Sequence, residues 1–158
     1  NDDTADDMTL LPASPVTGDA YYFAGPEEFQ SMDLNISNAG DATWSVVWEY
    51  WNGSSWTALS NVTDDTNAFT TAGKKSISWD LPGDWSTTSV NGIAGEYWVR
   101  ARVDSFTSIT TQPLGQKAHL GREPDDATDF FVDYIVSEDI SVVTTEVAQL
   151  NSVNVTVV

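Results

Sequence analysis

The side chains in this sequence that could do chemistry are mostly carboxylates. Two loop-like runs, 64–67 and 125–129, concentrate oxygen donors of the kind that Ca²⁺, Mg²⁺ or monovalent cations prefer. Neither run has the glycine and final glutamate of an EF-hand loop, so a structural ion is the only cofactor to consider. The candidate ligands are Asp64, Asp65 and Asn67 in the first run and Asp125, Asp126 and Asp129 in the second.

Catalytic patterns are weak in this chain. His119 is the single histidine and there is no cysteine, which removes thiolate ligands, disulfides and cysteine nucleophiles together. No G-x-S-x-G motif surrounds a serine. Carboxylate pairs are abundant, but 24 acidic residues predict that abundance, and no pair stands out as the acid and base of a glycosidase. We therefore expect no enzymatic activity.

Tryptophans are the other candidate ligand-binding residues. Four of the seven lie within 44–56, around an Asn-Gly turn. Because side chains alternate along a strand, one face of 43–51 is expected to be the core face. That face carries Trp44, Val46, Trp48 and Tyr50.

On the other face, Trp51 and Trp56 flank a four-residue loop and could form a cross-strand pair. Two interpretations stay open: the pair closes the hairpin end, or the rings of Trp51, Trp56 and Tyr50 form a platform on which a sugar stacks.

The run 96–104 alternates in the same way. Its core face would carry Tyr97, Val99, Ala101 and Val103. Arg100 and Arg102 would share the opposite face with Trp98, and we expect the two arginines to pair with carboxylates on an adjacent strand, Glu49 being one candidate.

Sequons of the N-x-S/T type occur at four positions, of which Asn52 and Asn61 lie at or beside the predicted hairpin. Both are expected to be exposed, which makes them candidate glycosylation sites. Several such sequons arise by chance in a chain rich in Ser, Thr and Asn.

Short alternating runs of Thr, Ser, Val and aromatics between turn residues predict an all-β protein. We expect an antiparallel β-sandwich, Ig-like or jelly-roll-like, with a C-terminal β annex, and one short helical segment at 84–89. The predicted strands are 20–24, 29–37, 43–51, 55–59, 75–80, 96–104, 130–137, 140–147 and 152–157.

Composition divides the chain into four predicted parts. These are an acidic N-terminal arm (1–15), the main sandwich (16–114), an exposed connector (115–128) and the annex or assembly segment (129–158). The annex either completes the same sandwich or pairs with a neighbouring subunit. The acidic opening without Met suggests a processed or trimmed product, and the lack of a long apolar run predicts no membrane insertion.

The charge balance is the strongest compositional signal. The chain has 24 acidic and 6 basic residues and a net charge of -18. Such a surface repels nucleic acid and anionic membranes. A disordered acidic chain would lack aromatics, whereas a folded one with this self-repulsion is best suited to high salt, where the screening length falls to about 3 Å at 1 M. We therefore expect a halophilic protein, with an acidic mesophilic or Ca²⁺-loaded extracellular protein as the alternative.

Three segments resemble a β-sandwich module that recurs in virion structural proteins of tailed viruses. They are "TWSVVWEYWNGSSWTALS", "FTTAGKKSISWDLPGDWSTTSVNGIAGEYWVRARV" and "TSITTQPLG", and the resemblance covers about 20–115. It implies a non-enzymatic sandwich displayed on a particle. The resemblance implies structural roles for the module's motif positions, so no functional residue is assigned from it. In this chain those positions are Trp48, Trp56, Trp85, Trp98 and Arg100.

Together with the acidic composition, the resemblance points to a capsid turret or decoration subunit, or a tail or baseplate component, of a tailed virus of a halophilic archaeon. The expected location is the virion surface. The expected partners are further copies of the chain, other virion proteins and a host cell-surface glycan or S-layer. The alternative is a carbohydrate-binding or S-layer-like module of a secreted halophilic protein.

Overall fold

The computed structural model describes residues 5–121 with their side chains and the backbone of 130–131 and 134–137. These residues form two antiparallel sheets packed together, which confirms the predicted all-β sandwich. In this part of the chain there is no helix of the length and apolarity needed to span a membrane.

Twelve strands follow one another along the described chain. They are β1 (Met8–Thr9), β2 (Ala20–Gly25), β3 (Ser31–Asn38), β4 (Asp41–Trp51), β5 (Trp56–Ala58), β6 (Thr63–Asp64), β7 (Gly73–Ser78), β8 (Thr88–Val90), β9 (Ile93–Thr111), β10 (Leu114–Gly121), β11 (Phe130–Phe131) and β12 (Tyr134–Ser137).

Sheet 1 has the order β1-β10-β3-β7-β6, with β11 beside β10, and sheet 2 has the order β12-β2-β9-β4-β5, with β8 beside β9. The 19-residue β9 organises sheet 2, because it pairs with β2, β4 and β8. The hairpin β4–β5 therefore lies at one edge of sheet 2, and β12 lies at the other.

The core fills the space between the sheets. Alternation in β4 and β9 is confirmed, because the predicted inward residues of both strands pack into or against one buried cluster. Among its largest fully buried side chains are Phe23, Phe69, Met32, Leu34, Ile36 and Ile77. Burial of this apolar surface is the main stabilising term of the fold.

A second apolar cluster lies on the outer face of sheet 2. Ala20, Tyr22 and Ala24 of β2 pack there with Trp98 of β9, which is fully buried. This explains why every residue of β2 is buried although only alternate residues face the core. Partly buried Trp56, Val90 and Ile93 pack against this cluster.

The prediction of an exposed connector at 115–128 is wrong for 115–121. These residues belong to β10, which pairs with β3 on one side and with β1 and β11 on the other. Ala118 and Leu120 are buried in the core, while the neighbouring Gln116, Lys117 and His119 give the segment the composition of a loop. Residues 122–129 lie outside the described part.

The predicted acidic arm also contributes to the core where it is described. Asp6 and Asp7 are exposed, but Met8, Leu10 and Leu11 are at most 1% exposed. Because these apolar side chains gain more by burial than the short segment loses by ordering, residues 8–11 dock against sheet 1 through β1.

Three further elements differ from the predictions. The helical segment expected at 84–89 is instead a turn followed by β8. The strand expected at 96–104 extends over Ile93–Thr111 because β8 pairs with its beginning and β4 pairs with it as far as Thr111. The strand expected at 130–137 is present as β11 and β12, which pair with β10 and β2 of the same chain; the predicted strands at 140–147 and 152–157 lie outside the described residues.

Candidate functional site

The tryptophan hairpin joins β4 to β5 with Trp51 directly opposite Trp56. Their ring centroids are 5.7 Å apart at an interplanar angle of 67°, so the predicted cross-strand pair is confirmed. The Asn52 Oδ1 atom accepts hydrogen bonds from the backbone N of Ser54 and Ser55, at 3.0 and 2.9 Å. This Asx turn fixes the loop and therefore the relative position of the two rings.

Trp56 is itself enclosed by other side chains. The Arg100 guanidinium lies 4.5 Å from the centre of its ring, and the Tyr22 ring packs at 5.4 Å. Since a cation over an aromatic face occupies the surface that a sugar ring would use, Trp56 has lost one stacking face to the fold. Trp51 is half-buried at the end of β4.

Tyr50 lies on the opposite face of sheet 2 from this pair. It is 8% exposed, belongs to the core cluster, and donates a hydrogen bond of 2.7 Å from its hydroxyl to Asp84 Oδ1. Tyr50 therefore shares no surface with Trp51 and Trp56, and the expected three-ring platform does not form. The strand alternation already indicated this, because it assigned Tyr50 to the core face.

Two buried tyrosines give the protein a predicted alkaline limit. Burial, with a contribution from Asp7, raises the pKa of Tyr21 far above its usual value, and the hydrogen bond to Asp84 raises the pKa of Tyr50. An unfolded tyrosine ionises near pH 10, so the unfolded chain releases protons there that the folded chain keeps. The stabilisation is therefore present below about pH 10 and is lost as the pH rises further.

The measurement is urea unfolding between about pH 8 and 11.5, a range that brackets the usual tyrosine pKa. We expect the free energy of unfolding to fall by about 1.4 kcal/mol per pH unit for each such tyrosine above its unfolded pKa. The matched variant Tyr21→Phe should show a shallower decline, and an unchanged slope in Tyr21→Phe would contradict this assignment.

Glu49 holds both arginines of β9. Its Oε2 accepts from Arg100 Nε at 2.7 Å and its Oε1 accepts from Arg102 Nε at 3.0 Å. The predicted pairing with Glu49 is therefore confirmed. The three side chains are 10–24% exposed, so a carboxylate beneath the sheet surface is satisfied by two guanidinium groups. The stacking of Arg100 on Trp56 could not be read from the sequence, since β5 and β9 are not neighbours.

The first acidic run forms a tight loop in which Asp64 is fully engaged. Its Oδ1 accepts from the backbone N and hydroxyl of Thr66, and its Oδ2 accepts from Trp48 Nε1 at 3.1 Å. Asp65 is exposed, and the amide of Asn67 donates to the Thr70 hydroxyl. Within residues 5–121 no group of three His, Asp or Glu side chains is arranged to hold a metal ion.

The loop therefore uses the Asp64 carboxylate to anchor the core tryptophan Trp48. The second acidic run, with Asp125, Asp126 and Asp129, lies outside the described residues.

The two candidate glycosylation sites differ in their surroundings. Asn52 is partly exposed at the hairpin tip, and its Oδ1 rather than its Nδ2 is engaged in the turn. Asn61 is exposed with a positive φ of 52°, and its Nδ2 donates to Asp80 Oδ2 at 2.6 Å. A glycan is attached at Nδ2, so Asn52 presents the freer acceptor nitrogen of the two.

Compared with models of known protein families the chain matches none, and no curated protein is similar to it at a significant level.

Proposed function

We propose that this protein is a non-enzymatic structural subunit displayed on the outside of a tailed-virus particle, as a capsid turret or decoration, or in the tail or baseplate. The observation that carries the proposal is how three carboxylates within residues 20–115 are used. Glu49, Asp64 and Asp84 each accept hydrogen bonds from framework side chains, namely the β9 arginines, Trp48 and Tyr50. These carboxylates stabilise the sandwich.

Aromatic residues of the motif segments support the same proposal. Trp48, Trp85 and Trp98 are at most 6% exposed, and the fourth position, Trp56, is held between Tyr22 and Arg100. The motif residues of this module therefore make the fold rigid. A rigid fold suits a subunit that must keep its shape on a particle. The resemblance of residues 20–115 to modules of virion structural proteins is the reason for placing this subunit on a tailed-virus particle.

Charge supports a particle that works in high salt. Two of the six cations, Arg100 and Arg102, are bound by Glu49 inside sheet 2, which leaves the outer surface more acidic than the net charge of -18 suggests. Copies with this charge repel one another at low ionic strength and approach one another when salt screens the repulsion. We propose that copies assemble with each other and with other virion proteins, and that the displayed array contacts a host cell-surface glycan or S-layer.

An antibody raised against the purified chain tests the proposal directly. Immunogold electron microscopy is expected to label the outside of tailed-virus particles released by the cells that produce the protein, and the position of the label assigns head or tail. Unlabelled particles together with free protein in the medium would overturn the proposal.

One observation favours a second candidate, a carbohydrate-binding or S-layer-like module. Trp51 is half-buried at the hairpin end and is the ring of the pair that Arg100 does not cover. For this candidate we expect Trp51→Ala to abolish retention on polysaccharide columns, since stacking on one amphipathic ring would carry the binding. Thr57→Ala, on the same hairpin, is the matched control. Equal retention of the wild-type chain and Trp51→Ala would contradict the second candidate.

A further inference from the structure

The chain contains two Asn-Gly dipeptides, and both lie in hairpin turns. Asn52 and Gly53 open the four-residue loop between β4 and β5, whereas Asn91 and Gly92 form the two-residue turn between β8 and β9. An asparagine before glycine is open to attack by the backbone, because a residue without a Cβ leaves its nitrogen accessible to the preceding side-chain amide. The geometry of each turn then decides whether its asparagine reacts.

At Asn52 the nucleophile and the leaving group are both unengaged. Neither the Gly53 nitrogen nor Asn52 Nδ2 has a hydrogen-bond partner among the described residues. Asn52 is partly exposed and Gly53 is exposed, so water reaches both groups. Attack by the Gly53 nitrogen on the side-chain amide therefore breaks no protein hydrogen bond at either group.

The Asx turn positions the Asn52 amide for this attack. Its Oδ1 accepts from the backbone N of Ser54 at 3.0 Å, which closes a hydrogen-bonded ring that contains both Asn52 Cγ and the Gly53 nitrogen. The Ser54 hydroxyl and the backbone N of Ser55 also donate to Oδ1, at 3.0 and 2.9 Å. These donors stabilise the negative charge that develops on Oδ1 when a nucleophile adds to Cγ.

The turn at Asn91 holds the corresponding atoms apart. Asn91 and Gly92 have φ values of 48° and 85° and lie between the paired residues Val90 and Ile93, which is the backbone of a type I′ turn. At the left-handed ψ of about +47°, the Gly92 nitrogen lies nearly anti to Asn91 Cβ and faces away from the side-chain amide. Attack at Asn91 therefore requires the hairpin β8–β9 to open.

We propose that Asn52 is a site of spontaneous deamidation in the folded protein. The Gly53 nitrogen adds to Asn52 Cγ, its proton passes through solvent to Nδ2, and the Cγ–Nδ2 bond breaks as ammonia leaves. The resulting succinimide is opened by water at either of its carbonyls, which gives aspartate or isoaspartate at this position. The reaction consumes water and releases ammonia without oxidation or reduction. It needs no enzyme and no partner, so it is independent of the proposed function.

The two products affect the hairpin differently. Aspartate keeps a side-chain oxygen that accepts from the backbone N of Ser54 and Ser55. Isoaspartate carries the backbone through Cγ and lengthens the loop by one atom, which disturbs the pairing of Trp51 with Trp56. Both products lack Nδ2, so deamidation also removes this candidate glycosylation acceptor.

Peptide mapping by mass spectrometry tests the proposal. The purified chain is incubated folded, in high salt at mildly alkaline pH, and in parallel unfolded in urea, and conversion of each Asn-Gly site is followed with time. In the folded chain we expect Asn52 to convert about tenfold faster than Asn91, because Asn91 reacts only from locally opened molecules. In urea the two sites should convert at similar rates, since glycine follows both. Circular dichroism confirms that the folded sample stays folded.

Two results would overturn the assignment. The first is conversion of Asn91 at the same rate as Asn52, or faster, in the folded chain. The second is an Asn52 that stays intact in the folded chain while the unfolded chain reacts, because the Asx turn would then protect the amide.

The variant Ser54→Ala measures what the loop contributes to the reaction. It removes the hydroxyl donor to Oδ1 and keeps the backbone donors of Ser54 and Ser55. We expect Asn52 to convert about threefold more slowly in the folded variant, since one exposed hydrogen bond contributes little, and at the wild-type rate in urea. Ser55→Ala, whose hydroxyl does not bind Oδ1, is the matched control and should react as the wild-type chain does. An unchanged or faster rate in Ser54→Ala would contradict stabilisation of the charge on Oδ1.

The variant Asn52→Asp is the reference for the aspartate product. Its near-ultraviolet circular dichroism should match that of the fresh wild-type chain. Protein aged until isoaspartate accumulates should lose the signal of the Trp51–Trp56 pair, whose ring centroids are 5.7 Å apart before the reaction. Identical spectra of aged protein and Asn52→Asp would contradict the expected disturbance of the hairpin.

Discussion

Replacing Trp48 with alanine is expected to lower the free energy of unfolding by about 3–5 kcal/mol, the largest effect of any single substitution considered for this protein. Trp48 is 3% exposed and its ring packs 5.9 Å from those of both Phe23 and Phe69. Truncation opens a cavity between the sheets and also removes the indole N–H that Asp64 accepts at 3.1 Å. Chemical denaturation in high salt, followed by circular dichroism, measures the change.

Two further variants separate the contributions at Trp48. Trp48→Phe keeps an aromatic ring and loses the bond to Asp64, so its cost should be smaller, about 1–2 kcal/mol. Trp51→Ala removes a tryptophan from the same strand but from the partly exposed hairpin end, and we expect about 1.5 kcal/mol or less. If Trp51→Ala is as destabilising as Trp48→Ala, the assignment of core and hairpin faces is wrong.

Glu49→Gln is expected to cost about 2–4 kcal/mol. Removing the carboxylate charge leaves Arg100 and Arg102 beneath the outer surface of sheet 2 without their shared counter-ion, and breaking a buried pair typically costs about 3–5 kcal/mol. We expect somewhat less here because the three side chains retain 10–24% exposure and water screens part of the interaction. The loss should persist in high salt, since mobile ions screen a buried pair weakly.

The matched control for Glu49→Gln is Asp104→Asn. Asp104 also contacts Arg102, at 3.3 Å, but its side chain is 59% exposed. An exposed pair of this kind contributes about 0–1 kcal/mol, so the variant should be close to wild type. Equal destabilisation by the two variants would contradict a structural role specific to Glu49.

The hairpin was predictable because it depends only on residues close in sequence, whereas the pairing of Glu49 also requires β4 and β9 to be neighbours. Alternation along 43–51 assigns each residue to a face, and the Asn-Gly turn sets Trp51 opposite Trp56. Once two strands are adjacent, charged residues on the same outward face have few other partners. That is why the sequence indicates Glu49 as one candidate partner of Arg100 and Arg102.

Contacts between distant segments could not be predicted in the same way. The core role of Met8, Leu10 and Leu11 depends on β1 meeting β10, more than 100 residues later in the chain. The strand Leu114–Gly121 carries Gly, Lys and His, which are typical of loops, and only its neighbours β1 and β3 make it a strand. Tertiary pairing overrides local propensity in both cases.

The expected platform of Trp51, Trp56 and Tyr50 shows a second limit of prediction from the sequence. Face assignment alone separates Tyr50 from the pair, but the cover that Arg100 provides over Trp56 depends on β4 lying between β5 and β9. A sequence indicates which rings are close along a hairpin, whereas the strand order decides which ring faces stay free.

The mass of the purified chain in solution, measured by light scattering at about 3 M KCl and again at about 0.1 M, tests the central claim most directly, since the screening length changes several-fold over this range. A displayed, acidic subunit predicts a defined oligomer at high salt that dissociates or unfolds at low salt. A monomer of the same mass and stability at both concentrations would contradict both the halophilic setting and the assembly of copies on a particle.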